Sequence, residues 1–288
     1  MAHHTERVRP GDPILAAAGG VRWPSGAVRV PAVGRWATLV GPMQKEAWNW
    51  TTRRLPEPAR MLRWGHFGTP VLLLPSAGGD FEEVERFRLI EALGDLIGAG
   101  RIKVYSIDGL VVRAWLGNTP LPECIRFERR HDAFLCKEVV PRIRKDCQND
   151  SITPIIAGAS LGACVAVAEI CRHPEVFRAA IGLSGVYDLV QHLRGVCAEK
   201  ARAFAAGALL GRPGCNPEEL RRRMIVLASG EGGLERPGDS ITLAAALEAQ
   251  HIPCRLSLWG AAHDHNWATW RAMLPQLLAE QLAAPGLT

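Results

Sequence analysis

The 288-residue chain lacks most of the signatures that assign a protein at a glance. No apolar run reaches the roughly 18 residues of a membrane-spanning helix, so no membrane span is expected. The opening segment, MAHHTERVRPGDPILAAAGG, has no basic stretch followed by an apolar h-region, and the expected compartment is therefore the cytoplasm. The eight cysteines form no C-x-x-C pair and no Cys/His run at zinc-finger spacing, which leaves reduced core thiols as the expectation. There is no G-x-x-x-x-G-K-[ST] phosphate loop and no H-E-x-x-H zinc motif. The stretch Gly230-Glu231-Gly232-Gly233-Leu234-Glu235 lacks the last glycine of a dinucleotide fingerprint. Internal repeats are absent too. These absences exclude the common nucleotide, zinc and redox chemistries that are legible by pattern, and no cofactor is expected.

What is present is ordinary globular composition, 48% hydrophobic and 22% charged, with the charge unevenly placed. Residues 1–60 hold nine Lys/Arg against four Asp/Glu, and the remainder holds 25 of each. The formal net charge of +5 thus sits in the first fifth of the chain. Its arginines are scattered rather than aligned on a helix face, so a solvated surface is expected and not nucleic-acid binding. Residues 1–60 read as a basic N-terminal extension packed on the body, with β-like stretches at Ala27–Val33 and Trp36–Val40. Trp23, Trp36, Trp48 and Trp50 read as its anchors.

From about Arg63 the pattern changes. Short apolar runs bounded by Gly, Pro or Asp recur at Val71–Pro75, Lys103–Asp108, Ile152–Gly158, Ala179–Ser184, Met224–Ser229 and Arg255–Trp259, as expected of strands buried on both faces. Helical stretches lie between them at Glu82–Ile97, Asp132–Cys147, Leu161–Arg172, Ile241–Ala249 and Trp267–Leu282. Alternation of this kind predicts an α/β domain over residues 61–288, a mostly parallel sheet with helices on both faces. Residues 190–223, rich in Arg, Ala and Gly, exceed an ordinary crossover and predict a small cap.

The strongest local signal is Gly158-Ala159-Ser160-Leu161-Gly162, a G-x-S-x-G between a buried strand and a helix. A nucleophilic serine placed there sits on a sharp turn with its Oγ exposed. Glycine is required on either side because a side chain would strike neighbouring backbone. The amide of Leu161, first in the new helix, then points toward a developing oxyanion.

Such a serine needs a base and an acid, supplied in the chain order Ser, acid, His. His263 and His265 both lie in the loop between the last strand and the last helix. As an H-x-H pair they have no evident third metal ligand. After the preceding strand come Glu231, Glu235 and Asp239, among which spacing does not choose. A second oxyanion donor is expected from the small-residue loop after an early strand, Pro75-Ser76-Ala77-Gly78-Gly79-Asp80.

These residues resemble the putative esterase family of bacteria, distant relatives of esterase D, feruloyl esterases and mycolyltransferases on the α/β-hydrolase fold. The likeness runs from about Arg63 to Leu278. It is carried by GHFGTPVLLLPSAGGDFEEVERF, AGRIKVYSIDG, EVVPRI, GASLGACVA with HPEVF, LSGVYDL, SGEGGLERPGDS and IPCRLSLWGAAHDHNWATWRAMLP. By that resemblance His265 is the base, Glu235 the acid and Ala77 the early oxyanion donor. The family's HDWP reads His265-Asn266-Trp267-Ala268 here, and Gln191–Asn216 replaces its usual stretch over the active site. The resemblance implies a serine hydrolase that cleaves a small-molecule carboxylic ester through an acyl-enzyme, with no metal. An acyltransferase with the same triad and a non-catalytic scaffold on the same fold are the alternatives, and a homo-oligomer is compatible with either.

Overall fold

The computed structural model describes residues 43–188 and 216–283. The expected stretches Ala27–Val33 and Trp36–Val40, with Trp23 and nearly all of the expected cap, lie outside the described residues. The architecture is an eight-stranded sheet in the order β1-β2-β4-β3-β5-β6-β7-β8. Its strands are β1 (Lys45–Trp50), β2 (Ala59–Trp64), β3 (Thr69–Leu74), β4 (Ile102–Ile107), β5 (Ile155–Ala159), β6 (Ala179–Leu183), β7 (Met224–Ser229) and β8 (Cys254–Leu258). The last six pair in parallel, whereas β2 runs antiparallel to both β1 and β4. This is the mostly parallel sheet that the alternation predicts, in the α/β-hydrolase fold that the family resemblance implies.

The principal helices are α1 (Leu110–Leu116), α2 (Leu121–Phe134), α3 (Val140–Asp146), α4 (Leu161–Arg172), α5 (Pro237–Glu248) and α6 (Trp267–Ala283). The period of two along each strand divides the core between them. Leu72, Ile156 and Ala180 face α1, α2 and α4, while Val71, Leu73, Ile155 and Ile181 face α6 and the short helical turns between residues 83 and 98. Both faces are covered, so the central strands read as continuous apolar runs rather than alternating ones.

Three local features depart from the sequence expectation. The single helix expected over Glu82–Ile97 is three short pieces: the first break falls at Arg88, which is left-handed with φ of 62°, and the second at Leu93. The helix expected from Asp132 starts eleven residues earlier, at Leu121, and continues through a π-helical turn at Leu135–Val139 into α3. The sheet also begins at β1 and β2, within and just after residues 1–60. In β2 Arg60 and Arg63 interrupt the apolar run, but each is paired: Arg60 binds Asp108 through two hydrogen bonds of 2.7 and 3.0 Å, and Arg63 binds Glu46. Trp48 and Trp50 do anchor this region, stacking on Tyr105 and Phe134 at 6.4 and 5.8 Å. The six described cysteines are free thiols, and Cys124, Cys164 and Cys171 are buried. Among the described residues no helix is long and apolar enough to cross a membrane.

Candidate active site

The site stands where β5 meets α4. Ser160 occupies the turn with φ of 57° and ψ of −122°, a region that costs a non-glycine residue about 1–3 kcal/mol and persists only where surrounding structure enforces it. Enforcement comes from both sides. Ser160 N–H donates to the Leu183 carbonyl of β6 at 2.9 Å, and the amides of Ala163 and Cys164 close the first helical turn on its carbonyl. The flanking glycines are dictated by contact. A Cβ on Gly158 would lie 2.4 Å from backbone of Gly162, and one on Gly162 would lie 2.4 Å from the Pro75 carbonyl oxygen. The helix is pressed against the end of β3, and no side chain fits between.

Because β3 and β5 are neighbours, the loop after β3 emerges beside Ser160 at the same sheet edge. Ala77 there has φ of 31° and Gly78 φ of 79°, so successive backbone groups turn sharply. Several groups brace this loop. Buried Glu83 accepts from Ser76 N–H at 2.7 Å and from its hydroxyl at 3.0 Å. Burial raises its carboxyl above the ordinary range, against the opposing pull of those two bonds. From α1, Arg113 Nε donates to the Gly78 carbonyl at 2.6 Å, and the Gly109 amide donates to that of Gly79 at 2.9 Å. Glu83 and Arg113 were not legible as site residues, since surface glutamates and arginines are common and only the packing turns these two onto the loop.

The loop after β8 brings a histidine to the serine. His265 Nε2 lies 3.1 Å from Ser160 Oγ, and its Nδ1 lies 3.5 Å from Glu235 Oε2. His263 faces elsewhere, its Nδ1 2.7 Å from the Trp259 carbonyl. The acids separate as cleanly. Asp239 Oδ2 accepts from the amides of Tyr187 and Asp188 at 2.9 and 3.0 Å, Glu231 is exposed, and only Glu235 meets the imidazole. Asp264 ties the two loops together, its Oδ1 accepting from Leu234 N–H and His265 N–H, both at 2.8 Å.

Glu235 is buried and held from behind. Its Oε1 accepts from the Ser184 hydroxyl, and Ser229 Oγ lies 3.3 Å from its Oε2. Trp270 Nε1 donates to Ser184 Oγ at 3.0 Å, which commits the hydroxyl proton to the carboxylate, and the same indole meets the His265 ring edge to face at 5.3 Å. Burial pushes the Glu235 carboxyl up. The hydrogen bonds from His265 and Ser184 outweigh it and bring the carboxyl below its usual range. Chemically, the constellation pairs a hydroxyl with a base, and that base with an ionised carboxylate. The first amide of α4, on Leu161, belongs to the helical turn whose N–H groups have no acceptor within the helix.

Comparison with known proteins gives the family and the fold. The family model described as "Putative esterase" matches residues 104–283, while no curated protein matches the chain in sequence. Among solved structures, the chain is similar to a ferulic acid esterase with a TM-score of 0.64 at 15% identity, covering 82% of this chain and 96% of that one. It is similar to the fluorophosphonate-binding serine hydrolase F of Staphylococcus aureus with a TM-score of 0.64 at 14% identity, covering 85% and 100%. A third likeness is to MPT51 of Mycobacterium tuberculosis, with a TM-score of 0.60 at 16% identity, covering 85% and 99%. With the fold, the strained serine turn and a family model spanning most of the chain all in agreement, this protein belongs to the putative esterase family of the α/β-hydrolase fold.

Proposed function

We propose that this esterase cleaves carboxylic esters through a covalent acyl-enzyme formed on Ser160. The observation that supports this most is the unbroken contact series from Ser160 Oγ through His265 to buried Glu235. In this reading His265 takes the hydroxyl proton as Oγ attacks the ester carbonyl, then delivers it to the leaving alcohol. Glu235 fixes the imidazole tautomer and stabilises the imidazolium. The amides of Leu161 and Ala77 receive the oxyanion, a contribution of about 3–4 kcal/mol per donor in comparable sites. Water then releases the acid by the reverse sequence, with His265 as base.

A fluorophosphonate probe tests the reading without knowledge of the substrate. An activated serine displaces its leaving group, so the expected result is a single adduct on the Ser160 peptide by mass spectrometry, lost in His265→Ala. Absence of an adduct in folded protein overturns the reading. Hydrolysis of a p-nitrophenyl ester panel, with added alcohols as competing acceptors, then separates hydrolase from acyltransferase.

The Ser184–Trp270 pair carries a prediction of its own. A hydrogen bond to a charged group contributes about 1.5–3 kcal/mol, and Ser184→Ala removes one from the Glu235 carboxylate. We expect kcat to fall at least about tenfold with KM little changed. Trp270→Phe, which keeps a ring against His265 but frees the hydroxyl, gives a smaller loss. Equal kcat in wild type and Ser184→Ala refutes the positioning role.

A further inference from the structure

The sequence offers no metal motif, but helix packing builds a site that no local pattern displays. Helix α2 presents Glu128, His131 and Asp132, and α4 presents Glu169 and Arg172 against them, with His173 at the cap that ends α4. The i, i+3, i+4 spacing puts the α2 trio on one helix face, and the i, i+3 spacing does the same for Glu169 and Arg172. Arg172 donates to Glu128 Oε1 at 2.7 Å and to Asp132 Oδ1, and it approaches Glu169 Oε1 at 3.6 Å. Three acidic side chains converge on that one guanidinium.

Unsatisfied atoms collect in the same place. Glu169 is 1% exposed and His131 2%, yet Glu169 Oε2 and His131 Nδ1 have no hydrogen-bond partner, and neither does His173 Nε2. His131 Nδ1 is aimed into the cluster, 4.0 Å from Glu169 Oε1. Buried polar atoms without partners are rare and mark a missing water, proton or ion. One ligand atom from each of Asp132, Glu169 and His173 lies within 4.8 Å of the other two. Donors to a single ion at about 2.1 Å sit up to roughly 4.2 Å apart, so a small side-chain adjustment closes the set. His173 also carries a carboxylate behind it, Glu175 at 3.7 Å from Nδ1, as imidazole ligands commonly do.

We propose that Asp132, Glu169 and His173 bind a divalent transition-metal ion of the zinc class, which clamps α2 to α4. Two carboxylates with an imidazole select a borderline ion over calcium or magnesium, which prefer oxygen alone. The role of the ion is structural. Glu169 lies nine residues along α4 from Ser160, about 14 Å at 1.5 Å per residue, so the proposal is independent of the ester chemistry.

The test uses the full chain stripped with EDTA and titrated with zinc chloride by calorimetry, alongside thermal melts. The expected result is a site of one zinc per chain whose filling raises Tm by several degrees. His173→Gln and Glu169→Gln should each weaken that binding at least tenfold and cancel the zinc-dependent shift. Without metal, Glu169→Gln should melt no lower than wild type, because the amide keeps the shape of this fully buried side chain. Three outcomes overturn the proposal. One is a Tm unmoved by zinc; another is zinc binding as tight in both variants as in the parent, which places the ion elsewhere. The third is a metal-free Glu169→Gln that melts well below wild type, which means that the carboxylate is already balanced by Arg172 and a proton.

Discussion

Ser160→Ala lowers kcat on any accepted ester by about 10⁶-fold, the scale seen when a triad nucleophile is removed. It leaves the thermal midpoint within about 2 °C. The activity loss follows because, among the described residues, the hydroxyl in contact with His265 Nε2 is that of Ser160. The small stability effect follows because the Ser160 side chain makes no cap hydrogen bond to the helix, while the strained backbone is held by the amide bond to Leu183 and by the glycines. Alanine bears the same φ of 57° at similar cost. Parallel melting curves and initial rates check both halves. A variant that retains more than a thousandth of the activity removes Ser160 from the chemistry and points to a different nucleophile. Loss of activity accompanied by a large drop in midpoint shows a folding defect instead.

Glu235→Gln is expected to cost about 10⁴-fold in kcat, the effect of an acid-to-amide exchange that favours the wrong imidazole tautomer. The amide keeps the shape and one acceptor, so packing beside Ser184 and Trp270 survives. The pH dependence separates charge from shape. Hydrogen bonds from His265 and Ser184 bring the Glu235 carboxyl below its ordinary range despite burial. A carboxyl depressed on folding adds stability that is fully present above its unfolded value of about 4.3 and is lost as pH falls through the folded value. Wild type therefore loses this increment on acidification below about pH 4.3, whereas Glu235→Gln lacks it at every pH. The difference in midpoint between the two proteins should narrow on going from pH 7 to pH 3. A difference that stays constant shows that the Glu235 charge contributes nothing to the folded state.

Both predictions rest on residues that differ in how they were legible. Ser160 was readable because a nucleophile elbow is a local event. Strand, turn and helix lie within a dozen residues, and the close approach of α4 to β3 demands glycine at 158 and 162. Glu235 and His265 were separable from Glu231, Asp239 and His263 only through family resemblance. In sequence all five stand in polar loops, and choosing among them depends on which side chain turns inward. The structure makes that choice with particular contacts: Asp239 caps the amides after β6, His263 turns to the Trp259 carbonyl, and Asp264 locks the two loops in register.

The sequence by itself determined the parallel α/β core, since strands buried on both faces must be apolar throughout and the helices between them carry a 3.6 period. It missed β1 and β2 as members of the sheet. Arginines in a strand lower the apolar signal, and only Asp108 and Glu46, distant in the chain, neutralise them. It also had no means of showing Ser184 behind Glu235, Glu83 and Arg113 beneath the loop of Ala77, or the paired charges of α2 and α4. Each is a contact between residues more than six apart, most of them between separate elements, and a long-range contact leaves no periodicity. Local patterns fixed which backbone this chain builds, whereas tertiary packing decided which of its many polar side chains face one another.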